Sequence, residues 1–206
     1  MLKINGSFGE GGGQILRSAI SLSVLLEKPL EIYNIRLNRP KSGLRAQHIH
    51  TIKVLADIFN ARVENLTLGS QFLRFTPNPD ENYYEYISKS IKVDIGTAGS
   101  ISMVLQALIP SVALSKKLID IQIIGGTDVR MSPTIDYIRY VFSEAYKIMG
   151  INFNIDVIRR GYYPKGGGIV NAKIFPCKNL GLIDLIDYQR IDPKIIGICS
   201  MRHAMY

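Results

Sequence analysis

The fold of this chain is decided by residues 2–36, which read LKINGSFGEGGGQILRSAISLSVLLEKPLEIYNIR. An extended segment, Leu2 to Asn5, is followed by apolar residues at helical spacing from Gln14 to Leu26. A second extended pattern runs from Leu30 to Arg36, and a glycine-rich stretch separates the first strand from the helix. This order predicts a β-α-β unit with a glycine-rich loop after its first strand.

The rest of the chain completes this unit and then repeats it. A helical pattern at residues 44–59 and two short extended segments give the order β-α-β-α-β-β. The same order returns between residues 91 and 175, with helical patterns at residues 101–114 and 133–149. A nearly constant offset places Ile121 against Ile32. We therefore predict an α/β fold of the α+β type, built from tandem β-α-β-α-β-β repeats, each a sheet with two helices packed on it.

The domain boundaries are predicted from this repeat. The first repeat would occupy residues 1–78, the second residues 90–178, and the start of a truncated inserted domain residues 179–206. The connector between the repeats carries Asn-Pro-Asp and three tyrosines, which is typical of a linking segment. Apolar segments at 180–186 and 194–200 would be the first strands of the last unit, or would add to an existing sheet edge.

Composition restricts the classes of function. The chain has 206 residues, is 47% hydrophobic, and carries 25 Lys and Arg against 17 Asp and Glu, a formal charge of +8. This charge favours an anionic partner such as nucleic acid or a nucleotide, although a lysine-rich proteome produces the same excess. Two cysteines without a Cys-x-x-Cys pair indicate a reduced, cytoplasmic chain without a structural metal. We expect neither a signal peptide nor a membrane span.

The glycine-rich loop is the first candidate for binding. Backbone N–H groups at the start of a helix favour an anion, so Gly11, Gly12 and Gly13 are candidate phosphate ligands. The loop lacks the Gly-Lys-Ser/Thr of a Walker A motif, and an ordinary flexible turn is the alternative. Glu10 beside a phosphate would need a bridging cation, which predicts a metal contact. The alternative is an acid that stabilises the start of the helix.

A second candidate is the dense cationic segment at residues 36–48, RLNRPKSGLRAQH. An arginine side chain can donate two parallel hydrogen bonds to the oxygens of one phosphate, and loops at strand ends often hold ligands. A solvated charge run is the alternative reading of this segment. Arg17, about one turn into the first helix, can turn toward the glycine-rich loop or remain in solvent.

The second repeat contributes weaker signals. The turn at residues 96–100, GTAGS, occupies the position of the first glycine-rich loop and predicts a second anion cradle. Gln106 is polar within an otherwise apolar helix, so it faces either a ligand or solvent. Arg159 and Arg160 begin a basic, aromatic, glycine-rich hairpin that could stack on and grip single-stranded nucleic acid. A long hairpin with ordinary surface charge is the alternative.

Together these motifs resemble the RNA 3'-terminal phosphate cyclase family. The resemblance runs from about residue 2 to residue 176 and covers the first two of that family's three repeats. Five motifs in the same order carry it: GEGGGQILR at 9–17, RLNR leading to GLRAQH at 36–48, GTAGS at 96–100, GGTD at 125–128 and GYYPKGGG at 161–168.

The resemblance implies an ATP-dependent conversion of an RNA 3'-phosphate into a 2',3'-cyclic phosphate. In that family a histidine attacks ATP, AMP passes to the RNA 3'-phosphate, and the vicinal 2'-hydroxyl displaces AMP. Mg²⁺ or Mn²⁺ neutralises the triphosphate. By position, Glu10 would contact metal and phosphate, and Gln106 would approach the nucleotide. The residues implied to hold the phosphates of RNA or ATP are Arg17, Arg36, Arg39, Arg45, Gln47 and His48.

One departure from the family pattern limits the activity that we predict for this chain alone. The family's nucleophilic histidine lies near its C-terminal end, and His203 matches no such motif, so we expect substrate binding without adenylylation by this chain alone. The chain would be a fragment of a longer cyclase or a shortened protein. Two alternatives stay open, a non-catalytic RNA-binding relative of ribosome biogenesis and an enolpyruvyl-type transferase with the same repeat order. Unpaired strands would favour self-association, for example as a homodimer.

Overall fold

A computed structural model describes residues 1–78, 89–184 and 195–198. These residues form two four-stranded sheets and four helices, which confirms the predicted mixed α/β class. The helices are α1 (Gly13–Leu26), α2 (Ala46–Ile58), α3 (Ile101–Leu114) and α4 (Ser143–Ile148), the last preceded by a π-helical segment, Tyr137–Phe142. The strands are β1 (Leu2–Asn5), β2 (Leu30–Tyr33), β3 (Arg62–Glu64), β4 (Leu73–Thr76), β5 (Lys89–Asp94), β6 (Ile119–Gly125), β7 (Phe153–Arg159) and β8 (Gly168–Ile174).

The two sheets have the same strand order and the same strand directions. The first is ordered β1-β2-β4-β3 and the second β5-β6-β8-β7. In each sheet the first pair is parallel and the other two pairs are antiparallel. A helix connects each parallel pair because parallel strands need a crossover, and the last two strands of each sheet are adjacent in the chain. The domain bounds at 1–78, 90–178 and 179–206 stay a prediction.

One hydrophobic core includes residues of both sheets. Helix α1 packs on β2 and β4, α3 packs on β6 and β8, and α3 also contacts α1 and α2. Ile20, Leu55 and Leu105 are fully buried at these contacts. The Ser21 hydroxyl donates a hydrogen bond of 3.2 Å to the Ala107 carbonyl between α1 and α3. This packing fixes the loops of one repeat against those of the other.

The element boundaries differ from the sequence prediction at several points. Strand β2 ends at Tyr33 rather than Arg36, because Asn34 and Arg36 have left-handed φ angles of 53° and 54° that a strand does not accommodate. Helix α2 begins at Ala46 rather than Leu44. The helix predicted at 133–149 begins at residue 135 and is π-helical over six residues.

The last predicted unit has little described structure. Residues 179–184 and 195–198 form no strand. The other positions of the predicted unit, with Cys199 and His203, lie outside the described residues, as does most of the connector between the repeats. In the described part of the chain, no helix combines the length and the apolar character that crossing a membrane requires.

Candidate functional site

A cleft of about 810 Å³ lies between loops of the two repeats. Each of these loops follows a strand. The carboxyl ends of neighbouring parallel strands lie at the same edge of a sheet, so the loops that follow them are close together. We name the four segments that contribute to the cleft the glycine loop (residues 9–13), the arginine segment (residues 36–48), the second turn (residues 96–100) and the hairpin (residues 159–168). The cleft is therefore a composite of both repeats.

The glycine loop brings the backbone into direct contact with cationic and imidazole side chains. A Cβ atom at Gly13 would overlap Nε2 of His48 and lie 3.2 Å from Nη1 of Arg17. A Cβ atom at Gly12 would lie 3.3 Å from Nη2 of Arg39. Gly12 is the N-cap of α1 and offers no side-chain acceptor, and the first turn carries no acidic residue. The positive end of α1 is therefore not compensated by an acidic side chain in its first turn.

Arg17 is the buried cation of the cleft, with 7% of its surface exposed. Its Nη2 donates a hydrogen bond of 2.7 Å to Oε1 of Gln14, whereas its Nε has no hydrogen-bond partner among the described residues. Burial lowers the pKa of the Arg17 guanidinium from its ordinary value. A buried charge without a carboxylate is unfavourable, and an anion bound in the cleft would compensate it.

His48 is a buried, neutral hydrogen-bond donor. Its Nδ1 accepts a hydrogen bond of 3.1 Å from the backbone N–H of Arg45, which assigns the proton of the neutral ring to Nε2. Burial and the nearby charges of Arg36, Arg17 and Arg45 lower the pKa of His48 to about 3. The ring can therefore donate one hydrogen bond to a phosphate oxygen at neutral pH without adding a fifth positive charge to the cleft.

Three further arginines line the cleft. Arg36 donates hydrogen bonds of 2.9 and 3.0 Å to carbonyls at residues 41 and 43, and burial together with Arg45 and Arg39 lowers its pKa. Arg39 forms an ion pair of 2.8 Å with Glu10, the single carboxylate among the described residues that line the cleft. Four cations thus face one carboxylate, and a phosphate group would reduce their mutual repulsion.

Few protein groups are available to a metal ion. The Glu10 side chain is 89% exposed and paired with Arg39. Over the described ranges, no group of three or more His, Cys, Asp or Glu residues could hold a metal. Protein Mg²⁺ sites often combine one or two carboxylates with substrate phosphates. The residues present could therefore hold a divalent cation only together with substrate phosphates, with Glu10 as the single carboxylate ligand.

Gln47 connects the arginine segment to the second turn. Its Oε1 accepts a hydrogen bond of 3.2 Å from the backbone N–H of Ser100, and its Nε2 lies 3.5 Å from Sδ of Met103. The second turn, predicted as a separate anion cradle, therefore lies against the first site and contributes to the same cleft. Gln106 is half-buried on α3 and is not among the cleft-lining residues. Its contact with a nucleotide stays a prediction.

The two arginines of the hairpin are engaged within the protein. Nε of Arg159 donates a hydrogen bond of 2.8 Å to the Gly167 carbonyl. Arg160 pairs with Asp128 at 3.3 Å and with Asp136 at 2.7 Å, and the hydrogen bond that it donates to Asp136 raises the pKa of Arg160. The RNA contacts expected of these two arginines stay predictions. The hairpin reaches the cleft through its tip, at residues 163 and 164.

Comparison with known proteins now identifies the family. Residues 8–199 match the sequence model of the family described as RNA 3'-terminal phosphate cyclase. The chain belongs to this family. A curated RNA 3'-terminal phosphate cyclase from Pyrococcus abyssi is 46% identical over 198 residues, which cover 96% of this chain and 56% of the relative. The corresponding protein of Thermococcus kodakarensis is 44% identical over 191 residues, covering 93% and 53%.

A third cyclase relative, from Pyrococcus furiosus, is 48% identical over 176 residues, which cover 85% of this chain and 50% of the relative. The chain thus spans about half the length of the curated relatives it matches. The five motifs that carry the resemblance all lie within the matched residues 8–199. The family predicted from these motifs is confirmed.

Cyclase family motifs do not account for the whole cleft. Leu68, Met103 and Met131 also line it, and sequence reasoning assigned none of them to a site. Each lies outside the glycine-rich and basic motifs, so no local pattern marks these residues. Leu68 and Met131 are largely exposed, and they add apolar surface to a cleft that is otherwise cationic.

Proposed function

We propose that this chain holds the 3'-terminal phosphate of RNA in a protein that catalyses ATP-dependent cyclisation of that phosphate. The observation that carries the proposal is Arg17, a buried guanidinium that has no carboxylate partner among the described residues and whose Nε lacks a hydrogen bond there, in a cleft lined by three more arginines. A dianionic phosphate is the ligand that this charge arrangement favours most. The relatives named RNA 3'-terminal phosphate cyclase supply the class of reaction.

In the proposed reaction, the enzyme takes AMP from ATP with release of pyrophosphate and passes it to the RNA 3'-phosphate. The vicinal 2'-hydroxyl then attacks that phosphate and releases AMP, which leaves a 2',3'-cyclic phosphate. The chain's own residues would bind and orient the phosphates. Arg17 would hold the terminal phosphate, and Arg36, Arg39 and Arg45 would surround its other oxygens. His48 would donate from Nε2 as a neutral group. We assign no residue of this chain as the nucleophile.

The nucleotide and the metal ion belong to the same proposal. Glu10, together with phosphate oxygens of ATP, would hold Mg²⁺ or Mn²⁺, which would offset the triphosphate charge. The backbone of the glycine loop would bind the nucleotide phosphates, and Gln106 would approach the nucleotide. RNA with a 3'-terminal phosphate as partner, a homodimer and a cytoplasmic location complete the proposal.

A binding experiment tests the phosphate site. Fluorescence anisotropy would compare two oligoribonucleotides that differ only in a 3'-phosphate or a 3'-hydroxyl group. We expect the chain to prefer the 3'-phosphate by about tenfold or more, and Arg17→Met to remove that preference, because charged hydrogen bonds contribute about 1.5–3 kcal/mol. Arg62→Met is the matched control, because Arg62 is 80% exposed on β3 and lies outside the cleft.

The outcomes separate the proposal from general charge attraction. Equal binding of both oligoribonucleotides by the wild-type chain, or an equal loss in Arg17→Met and Arg62→Met, would contradict it. Incubation with α-³²P-ATP and Mg²⁺ or Mn²⁺ tests the adenylylation step. Acid-labile label on the protein would place a nucleophilic histidine within these 206 residues. Retained RNA binding without label would indicate that the nucleophile comes from elsewhere.

A further inference from the structure

We infer that Tyr163, at the tip of the hairpin, is a stacking platform for a nucleobase whose phosphate lies among the arginines of the cleft. This inference rests on the proposed function. Tyr163 is 81% exposed, and it lines the same cleft as Arg17 and Arg39. Pro164 lies beside it in the cleft wall. An aromatic ring with this exposure, next to an anion site, offers one face to a planar group.

The hairpin that carries Tyr163 is held by close backbone contacts. A Cβ atom at Gly161 would lie 2.5 Å from the Gly125 carbonyl oxygen, and one at Gly166 would lie 2.7 Å from the Thr97 carbonyl oxygen. The Gly161 N–H donates a hydrogen bond of 3.0 Å to Oγ1 of Thr127, whose own N–H donates one of 2.8 Å to the Gly161 carbonyl. The base of the hairpin therefore cannot shift independently of the second sheet.

Charge pairing adds to this restraint. The Arg160 guanidinium, 19% exposed, lies between Asp128 and Asp136, and it bonds both oxygens of Asp136. Asp128 follows β6 and Asp136 directly precedes the π-helical segment, so the start of the hairpin is tied to the connection between β6 and that segment. Contacts within the protein therefore hold the backbone on both sides of Tyr163, at Arg160, Gly161 and Gly166. Preorganisation of this kind reduces the entropy lost on binding.

A continuous series of contacts connects the platform to the phosphate ligands. A Cβ atom at Gly166 would lie 2.8 Å from Cα of Ala98 in the second turn. One at Gly99, next in that turn, would lie 3.3 Å from Cβ of Gln47. Gln47 precedes His48, whose ring borders the glycine loop. Tyr163 and the arginines are thus connected by direct packing contacts. A ligand with a base at one end and a phosphate at the other requires two such sites at a fixed separation.

The surroundings of Tyr163 favour a nucleobase over other planar groups. Met131 and Pro164 add apolar surface to the cleft, while the charged residues of the arginine segment suit phosphate. A nucleotide combines both properties, because its base is joined to phosphate through a ribose. RNA and ATP both carry this combination, and the experiment below distinguishes the two sources.

The test uses the full chain and two ligand pairs. One pair is a 3'-phosphorylated oligoribonucleotide with either a normal or an abasic terminal residue, and the other is ATP and ribose 5-triphosphate. We expect Tyr163→Ala to weaken binding of a base-bearing ligand about five- to hundredfold and to leave its base-free partner unchanged. Tyr163→Phe should retain wild-type affinity. Tyr162→Ala is the matched control on the same hairpin, since Tyr162 does not line the cleft.

Each outcome either supports or overturns base stacking on Tyr163. A base-dependent loss confined to the oligoribonucleotide pair supports stacking of the RNA base, and one confined to the ATP pair supports stacking of adenine. Equal affinities of Tyr163→Ala and wild type for both base-bearing ligands would overturn the inference, as would an equal loss for the base-free ligands. Failure of the proposed function would be visible separately, because the wild-type chain would then not distinguish a 3'-phosphate from a 3'-hydroxyl group.

Discussion

At the scale of single residues, the cleft depends on the absence of a side chain at Gly13. A methyl group there would overlap Nε2 of His48 and approach Nη1 of Arg17 at 3.2 Å. Both side chains are buried, and their hydrogen bonds to Arg45 and Gln14 would be disturbed if they moved. We expect Gly13→Ala to weaken binding of 3'-phosphorylated RNA by about tenfold or more, measured by fluorescence anisotropy.

Gly12→Ala is the control for this substitution. The added methyl group would lie 3.3 Å from Nη2 of Arg39, at the end of a flexible, partly exposed side chain that can move aside. We expect a change in affinity of no more than about threefold. If Gly12→Ala weakened binding as much as Gly13→Ala, the close approach of Gly13 to His48 would not be the cause.

The buried imidazole of His48 makes stability depend on pH. The pKa of His48 falls from 6.5 to about 3 on folding, so between these values the unfolded chain binds a proton that the folded chain does not. The stabilisation from neutral His48 is therefore complete above about pH 6.5 and is lost as the pH falls toward 3. We expect this group to reduce the free energy of unfolding by about 2 kcal/mol between pH 7 and pH 4.5.

Urea denaturation of wild type and His48→Asn at both pH values isolates this contribution. The asparagine oxygen can still accept the Arg45 N–H but does not titrate. His50 also has a pKa lowered by burial, and it is present in both proteins, so its effect cancels in the comparison. Equal losses of stability in the two proteins on acidification would show that His48 is not buried in neutral form.

At the scale of elements, the hairpin depends on its ion pairs. Arg160→Met would leave the partly buried carboxylates of Asp128 and Asp136 without their cation. We expect a loss of about 3 kcal/mol in the free energy of unfolding, measured by urea denaturation. Arg159→Met on the same hairpin should change stability by less than about 1 kcal/mol, because Arg159 is exposed and makes one hydrogen bond to a carbonyl. Similar losses in both variants would exclude a specific role for the ion pairs.

At the scale of the whole molecule, the single core predicts that the two repeats unfold together. Leu105 is fully buried on α3, which contacts the second sheet as well as α1 and α2. We expect Leu105→Ala to reduce the free energy of unfolding by about 2–5 kcal/mol. Amide hydrogen exchange should show reduced protection in β2 and β6 alike. Leu182→Ala is the control, because Leu182 is almost completely exposed.

Loss of protection in the second sheet alone would contradict this cooperative behaviour. In that case α3 would stabilise its own repeat without supporting the first one. The contacts of α3 with α1 and α2, including the hydrogen bond from Ser21 to Ala107, argue for shared stability.

Much of the fold could be predicted because local patterns and tertiary burial agree. The apolar spacing of residues 101–114 predicts α3 with the bounds that the structure has. Prediction was less accurate where the backbone departs from regular geometry, as at the left-handed Asn34 and Arg36 after β2. The same applies to the π-helical segment Tyr137–Phe142, for which the sequence contains no local signal.

The amino-acid sequence alone predicts the order of the elements, the internal repeat, the family and the two motifs nearest the proposed phosphate site. These depend on local periodicity and on residues close together in the chain, such as Gly13 and Arg17, one turn apart on α1. Which groups meet across the cleft depends on the tertiary packing. Gln47 bonds Ser100, and Arg160 is paired within the protein, because the packing of helices and loops from both repeats sets these contacts. Such contacts join residues far apart in the chain, where no local pattern determines spacing.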